Sequence, residues 1–141
     1  MNVLFLCTGN TCRSPMAQAY ADSLAKSEKL PAVCGSAGLS AFTSDGISED
    51  SARVLRAAGL PMPTDCPRPF SRELGEWADV ILVMGEEHLD FIRARYPQFS
   101  AKTRLLGGGI RDPYGRGSAA YEECCAAIKS AVREEFDELF A

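Results

Sequence analysis

The sequence lacks an excess of positive charge: 15 Lys and Arg stand against 19 Asp and Glu, for a net charge of −4 and a pI near 5.0. Nucleic acid and membrane surfaces both attract a basic face, so neither is expected as a partner. An anionic substrate stays open, because a site can be locally positive inside an acidic protein. No stretch reaches the ~20 apolar residues that span a bilayer. The start, MNVLFLC, has no basic residue ahead of its apolar run, which breaks at Thr8-Gly9-Asn10. That is not the form of a signal peptide, and a cytoplasmic location is expected. Cys-x-x-Cys is missing and the single histidine, His88, stands alone, so neither a metal nor another cofactor is expected. Without a secretory signal, the six cysteines (7, 12, 34, 66, 124 and 125) read as free thiols rather than a disulfide framework. Repeats, low-complexity segments and linkers are lacking as well, so residues 1–141 are expected to form a single domain.

Apolar runs alternating with helical patterns fill the chain instead. Val3-Leu4-Phe5-Leu6 and Val80-Ile81-Leu82-Val83-Met84 are continuous apolar runs of the kind buried on both faces of a parallel sheet. Ala32 to Ala37 and Thr103 to Leu106 are weaker strand candidates. Pro15 suits a first helical turn, with Met16, Tyr20 and Leu24 at helical spacing behind it. Ser48 is an N-cap for a helix to about Ala58, closed by Gly59. Further helices are expected from Ser71 to Trp77, from Glu86 to Tyr96, and from Ala119 to Phe140. In the last, Tyr121, Cys125, Ile128, Val132, Phe136 and Leu139 form one stripe. Such alternation predicts an α/β fold with a parallel sheet covered on both faces, and ligands bind such sheets beyond the carboxyl ends of the strands.

That edge receives Cys7. The segment Cys7-Thr8-Gly9-Asn10-Thr11-Cys12-Arg13-Ser14 lies between the first strand and the first helix. A Cys and an Arg at this spacing are a weak signal alone, but the strand–loop–helix setting makes it strong. The loop Thr8, Gly9, Asn10, Thr11, Cys12 and Arg13 can curl its N–H groups toward one point, an anion nest backed by the helix N-terminus. Gly9 and Asn10 are expected to accept left-handed backbone angles. A thiol at a helix N-terminus beside an arginine loses its proton readily, so Cys7 is expected as a thiolate nucleophile. Arg13 offers a planar fork to phosphate oxygens, and Ser14 is placed to hydrogen-bond the Cys7 sulfur. A simple buried thiol at position 7 leaves Gly9, Asn10, Arg13 and Ser14 unexplained. The Gly-Lys-Ser/Thr ending of a nucleotide-binding loop is absent.

CTGNTCRSP after VLFL, with DPYG near the C-terminus, resembles the low-molecular-weight protein tyrosine phosphatase family. The similarity runs over essentially the whole chain, including Ser36-Ala37-Gly38 and Ala78-Asp79. It implies a three-layer sandwich, a central four-stranded parallel sheet with helices on both faces. It also implies hydrolysis of phosphorylated protein side chains through a phosphocysteine on Cys7, with Arg13 binding phosphate and Ser14 and Asn10 supporting the loop. Asp112 is implied as general acid; read locally, Asp112-Pro113 is an ordinary turn. Tyr114 is either an aromatic wall of the pocket or a half-buried loop residue.

Thr11 leaves the substrate open. Phosphotyrosine enzymes of the family usually carry an apolar residue here, whereas a bacterial branch with threonine removes phosphate from arginine and often has Asp-Pro-aromatic-Gly in its acid loop, as in Asp112-Pro113-Tyr114-Gly115. Phe42, near where many relatives carry tryptophan, fits neither branch. Cys12 is either a partner for a protective disulfide with Cys7 or a buried thiol. Cys124 and Cys125 read as core or surface thiols, His88 as a solvated helix residue, and Glu134 to Glu138 as a wet helix face. Two other classes share the loop: arsenate reductases, which need relay cysteines absent from residues 80 to 100, and a phosphate-binding module without turnover, against which Cys7, Arg13, Ser14 and Asp112 together argue.

Overall fold

A computed structural model describes residues 1–41 and 46–141; Phe42 lies outside the described residues. Strands β1 (Asn2–Cys7), β2 (Val33–Gly38), β3 (Val80–Val83) and β4 (Thr103–Leu105) pair in parallel in the order β2-β1-β3-β4. Among the described residues the α-helices are α1 (Arg13–Ser27), α2 (Glu49–Ala57), α3 (Arg72–Trp77), α4 (Glu86–Arg95) and α5 (Ser118–Leu139).

The strands divide the interior by their pleat, since successive side chains point to opposite faces. Val3, Phe5 and Cys7 of β1, with Val80 and Leu82 of β3, join α1, α2 and α5 in one core. Leu4, Leu6, Ile81 and Val83 face the other way, onto Leu89 and Ile92 of α4 and a satellite of Phe70, Leu74, Trp77 and Phe99. Both faces are covered, which is why these strands read as unbroken apolar runs rather than alternating ones. The layers are those of the expected α/β sandwich.

Local chemistry sets the element ends. The Ser48 hydroxyl accepts the N–H of Ser51 at 3.2 Å, and Ser71 does the same for Leu74 at 3.2 Å; both caps were legible locally. Gly59 follows α2 with φ 70°, the left-handed residue that ends a helix. The fourth strand stops at Leu105, and 3-10 turns at Pro97–Lys102 and Leu106–Gly108, which no local pattern announced, flank it. Helix α1 begins at Arg13, placing Pro15 inside its first turn, where a missing N–H costs nothing.

Three expectations change. Gly9 is not in the left-handed region; Asn10, at φ 54°, is the residue of the loop that turns. Glu135 does not belong to a wet face: its side chain is only 13% exposed and pairs with Arg104 of β4. His88 is not solvated but 2% exposed, under the loop that follows β1. No helix among the described residues is long and apolar enough to cross a membrane.

Candidate active site

The sheet order reverses beside β1: the chain goes outward from β1 to β2 and then returns across β1 to β3. Crevices form at such switch points, beyond the carboxyl ends of the strands. Cys7 ends β1 there, 3% exposed.

The loop from Thr8 to Arg13 turns its carbonyls outward. Leu39 and Ser40 donate to the carbonyls of Cys7 and Thr8 at 3.0 and 2.8 Å, Ser48 to Thr11 at 2.8 Å, and Met16 to Cys12 at 3.3 Å. A peptide N–H points opposite to its C=O, so these bonds turn the amides inward. Among the described residues none of the amides from Thr8 to Arg13 donates to a protein acceptor, and no side chain caps α1. Buried backbone donors are rarely left unpaired, and a ring of N–H groups without a protein acceptor among the described residues, set above a thiol, has the chemistry to receive an anion.

Gly38 lets β2 approach this loop. A Cβ at position 38 would lie 2.6 Å from the Thr8 carbonyl oxygen, 2.8 Å from the Asn10 nitrogen and 2.9 Å from the Gly9 carbonyl carbon. At Gly9 a Cβ would meet only the Thr11 side chain, at an ordinary 3.5 Å.

Beneath the loop, buried side chains fix the direction of one proton. Asn10 Nδ2 donates to Ser14 Oγ at 2.7 Å and to Ser36 Oγ at 3.0 Å. Its Oδ1 accepts the N–H of Arg68 at 2.9 Å, so a flipped amide would set donor against donor. Ser36 donates onward to Gln18 Oε1 at 2.6 Å, and Arg68 Nε donates to the Ser36 carbonyl at 2.9 Å. Ser14 Oγ, receiving from Asn10, lies 2.9 Å from Cys7 Sγ and 3.4 Å from the Ala37 carbonyl oxygen. Of the two acceptors within reach of the Ser14 hydroxyl, Cys7 Sγ is the nearer.

Arg13 is 5% exposed. Its Nη1 donates to the Ile110 carbonyl at 2.9 Å, and its Nη2 lies 3.8 Å from Asp112 Oδ2. Ile110 is itself tied to the end of β3 by its N–H to the Met84 carbonyl, 2.7 Å. Asp112 Oδ1 accepts the N–H of Tyr114 at 3.1 Å, an Asx turn that aims the other oxygen at the arginine. The Asp112 side chain is 56% exposed, reaching both water and Arg13. A cavity of about 510 Å³ contains Cys7, Thr8, Gly9, Thr11, Cys12 and Arg13, with Asp112 and Tyr114 at its side. Tyr114 is 81% exposed, not half-buried.

The expected residues therefore come together, and others join them. Gly46, Ser48 and Tyr121 also line the cavity, and Ser36, Gln18 and Arg68 support it from below. Tyr121 was read only as part of a helical stripe; Ser48 only as a cap. His88 Nε2 lies 2.9 Å from Thr8 Oγ1. Burial, and then the charge of Arg13, push its pKa down. Burial pushes Cys12, Cys34 and Cys124 up to about 12, and Cys66 to about 11. Cys124 and Cys125 are both buried, and all six cysteines are free thiols.

The family of low molecular weight phosphotyrosine protein phosphatases matches residues 2–140. The chain is 31% identical to a protein-arginine-phosphatase of Bacillus subtilis (strain 168), over 95% of this chain and 93% of that protein. It is 33% identical to the low molecular weight protein-tyrosine-phosphatase PtpB of Staphylococcus epidermidis, over 94% of each. A crystal structure of a YwlE mutant from Bacillus subtilis superposes with a TM-score of 0.95 at 28% identity, covering 100% of this chain and 99% of that one. Another solved structure, 28% identical with a TM-score of 0.91 over 99% and 95% of the two chains, is a YwlE arginine phosphatase mutant whose active-site serine is phosphorylated. With a thiol beside amides that have no protein acceptor among the described residues, and a family match over nearly its entire length, the chain belongs to the low molecular weight phosphotyrosine protein phosphatases.

Proposed function

We propose that this phosphatase acts on phosphoarginine side chains of proteins, with Cys7 as nucleophile, Arg13 as phosphate clamp and Asp112 as acid and base. The amides of the loop and Arg13 receive the phosphoryl oxygens and hold the charge that grows as the bond breaks. The Cys7 sulfur attacks phosphorus, the P–N bond breaks, and Asp112 delivers a proton to the departing guanidine nitrogen. Asp112 then takes a proton from water, the hydroxide forms the new P–O bond, and the S–P bond breaks to release phosphate. Ser14, whose proton Asn10 directs toward Cys7, stabilises the thiolate as it leaves. The phosphorylated serine in the related arginine phosphatase structure supports a covalent phosphoenzyme here. The described chain works as one unit, in the cytoplasm, on phosphorylated proteins.

The observation that carries the choice of arginine is Thr11 on the cavity wall beside Cys7 and Arg13. A guanidinium brings N–H donors that a hydroxyl can accept, whereas a phenyl ring gains more from an apolar wall. Relatives named protein-arginine-phosphatase at 31% and 34% identity support the same choice.

The test compares phosphoarginine and phosphotyrosine peptides of one flanking sequence. Cys7→Ser is expected to abolish turnover of both. Thr11→Ile is expected to move the ratio of kcat/KM toward phosphotyrosine by roughly tenfold or more, the scale of one pocket substitution. A wild type that hydrolyses phosphotyrosine alone would overturn the arginine reading and leave the cysteine mechanism standing.

A further inference from the structure

A pocket for a phosphorylated guanidine faces two opposite demands. Its phosphate end needs donors, and the loop amides and Arg13 supply only donors. Its guanidine end carries N–H groups and no acceptor, so the wall there must accept. Thr8 lines the cavity with Cys7, Thr11 and Arg13, and its hydroxyl lies 2.9 Å from Nε2 of His88.

His88 is an unusual partner. Its side chain is 2% exposed, and Nδ1 is buried without a hydrogen-bond partner among the described residues. Burial and the neighbouring Arg13 hold the ring neutral at neutral pH, against weaker pulls from Glu87 and Asp112. A neutral imidazole carries its proton on one nitrogen. A proton on Nδ1 would be a stranded buried donor, the rarer and costlier defect, whereas a bare lone pair there is tolerated. Glu87 Oε1, 3.7 Å from Nε2, favours the same tautomer. The proton therefore belongs on Nε2, donated to Thr8 Oγ1.

We infer that His88 is a positioning residue that fixes Thr8 as a second hydroxyl of the substrate wall, its free lone pair accepting an N–H of the guanidine being dephosphorylated. A threonine hydroxyl that already receives one hydrogen bond cannot rotate freely between roles. Its remaining lone pair and its proton are left for the cavity. Thr8 and Thr11 then flank Gly9 and Asn10 as acceptors of the wall, while the amides between them hold phosphate. This rests on the phosphoarginine reading of the site and sharpens which residues select the substrate.

The test measures kcat/KM for phosphoarginine and phosphotyrosine peptides in Thr8→Val, His88→Leu, His88→Gln and the Thr8→Val/His88→Leu pair. Thr8→Val is expected to lower the phosphoarginine-to-phosphotyrosine ratio by roughly tenfold or more, the effect of one hydrogen bond to a charged group. His88→Leu lowers the ratio similarly although it touches no substrate, and the double variant falls no further than Thr8→Val alone. His88→Gln, whose amide N–H replaces that of Nε2, restores most of the ratio. If His88→Leu does not fold, Thr8→Val and His88→Gln carry the test. An unmoved ratio in Thr8→Val, or a double variant whose effects simply add, overturns the inference while the arginine reading stands. A wild type without phosphoarginine turnover overturns both.

Discussion

Charging His88 would place a second cation beside Arg13 in a buried site. Its folded pKa lies below the ordinary 6.5 because burial, and then Arg13, disfavour the charged ring. The unfolded chain therefore binds more protons as pH falls past 6.5. The contribution of His88 to stability is complete above that value and is lost as pH drops toward the folded pKa. Thermal melts from about pH 7 to about pH 5 are expected to show a falling Tm, with a shallower slope in His88→Gln than in the wild type. Equal slopes would mean that the imidazole is free to charge in the fold. The same residue marks the limit of local reading. His88 sits among Glu86, Glu87 and Asp90, which look like a wet helix face, and its burial is decided by a loop 80 residues away in sequence. Ser36 and Arg68 were missed for a similar reason, since Asn10 reaches them across 26 and 58 positions. Cys7, Arg13 and Ser14 were legible because their chemistry and their spacing lie in one short segment.

At the scale of elements, the loop from Thr8 to Arg13 is held in shape by the residues that end β2 and by Ser48, the cap of α2. Leu39 and Ser40 bind its first carbonyls and Ser48 binds a later one. Gly38 makes that approach possible, and Gly38→Ala sets a Cβ against backbone atoms that no rotamer change can move away. The variant is expected to keep its far-ultraviolet circular dichroism while kcat/KM falls on the order of 100-fold, as for a small displacement of a catalytic frame. Steady-state kinetics beside a spectrum check it; full activity would mean that the loop does not need its contact with β2. The helices α2 and α3 were readable because each cap is a bond between residues three apart, Ser48 with Ser51 and Ser71 with Leu74. Residues 66–70 were not, because their order comes from pairing with the end of β2: Gly38 donates to Arg68 and Phe70 donates to Gly38. Past β4, Gly107, Gly108 and Gly109 have φ values of 57°, 74° and 113°, left-handed backbone that favours glycine.

For the whole molecule, the sheet separates two apolar layers that must both close. Phe136 of α5 is 1% exposed within the layer that also contains Cys7, packed against Phe140 with ring centroids 5.3 Å apart. Phe136→Ala is expected to cost about 3–5 kcal/mol, the usual result of emptying a large aromatic site. Urea unfolding followed by circular dichroism measures it, and a loss below about 1 kcal/mol would show that the layer refills without penalty. The fold class was legible because the strands are apolar on both faces and the α5 stripe repeats at helical spacing. The order of the strands was not, because apolar runs state that they are buried and not beside which neighbour.

Arg13 rests on the carbonyl of Ile110, 97 positions further along the chain, and Asp112 follows two residues later. During synthesis the thiol and the amide ring therefore leave the ribosome long before the groups that complete them. A nascent chain that ends before residue 110 carries Cys7 and Arg13 without Asp112 and without the carbonyl that holds the guanidinium. Only when the segment from Ile110 onward has been released can the loop that carries Cys7 gain the carbonyl that holds Arg13 and the carboxylate of Asp112 beside it.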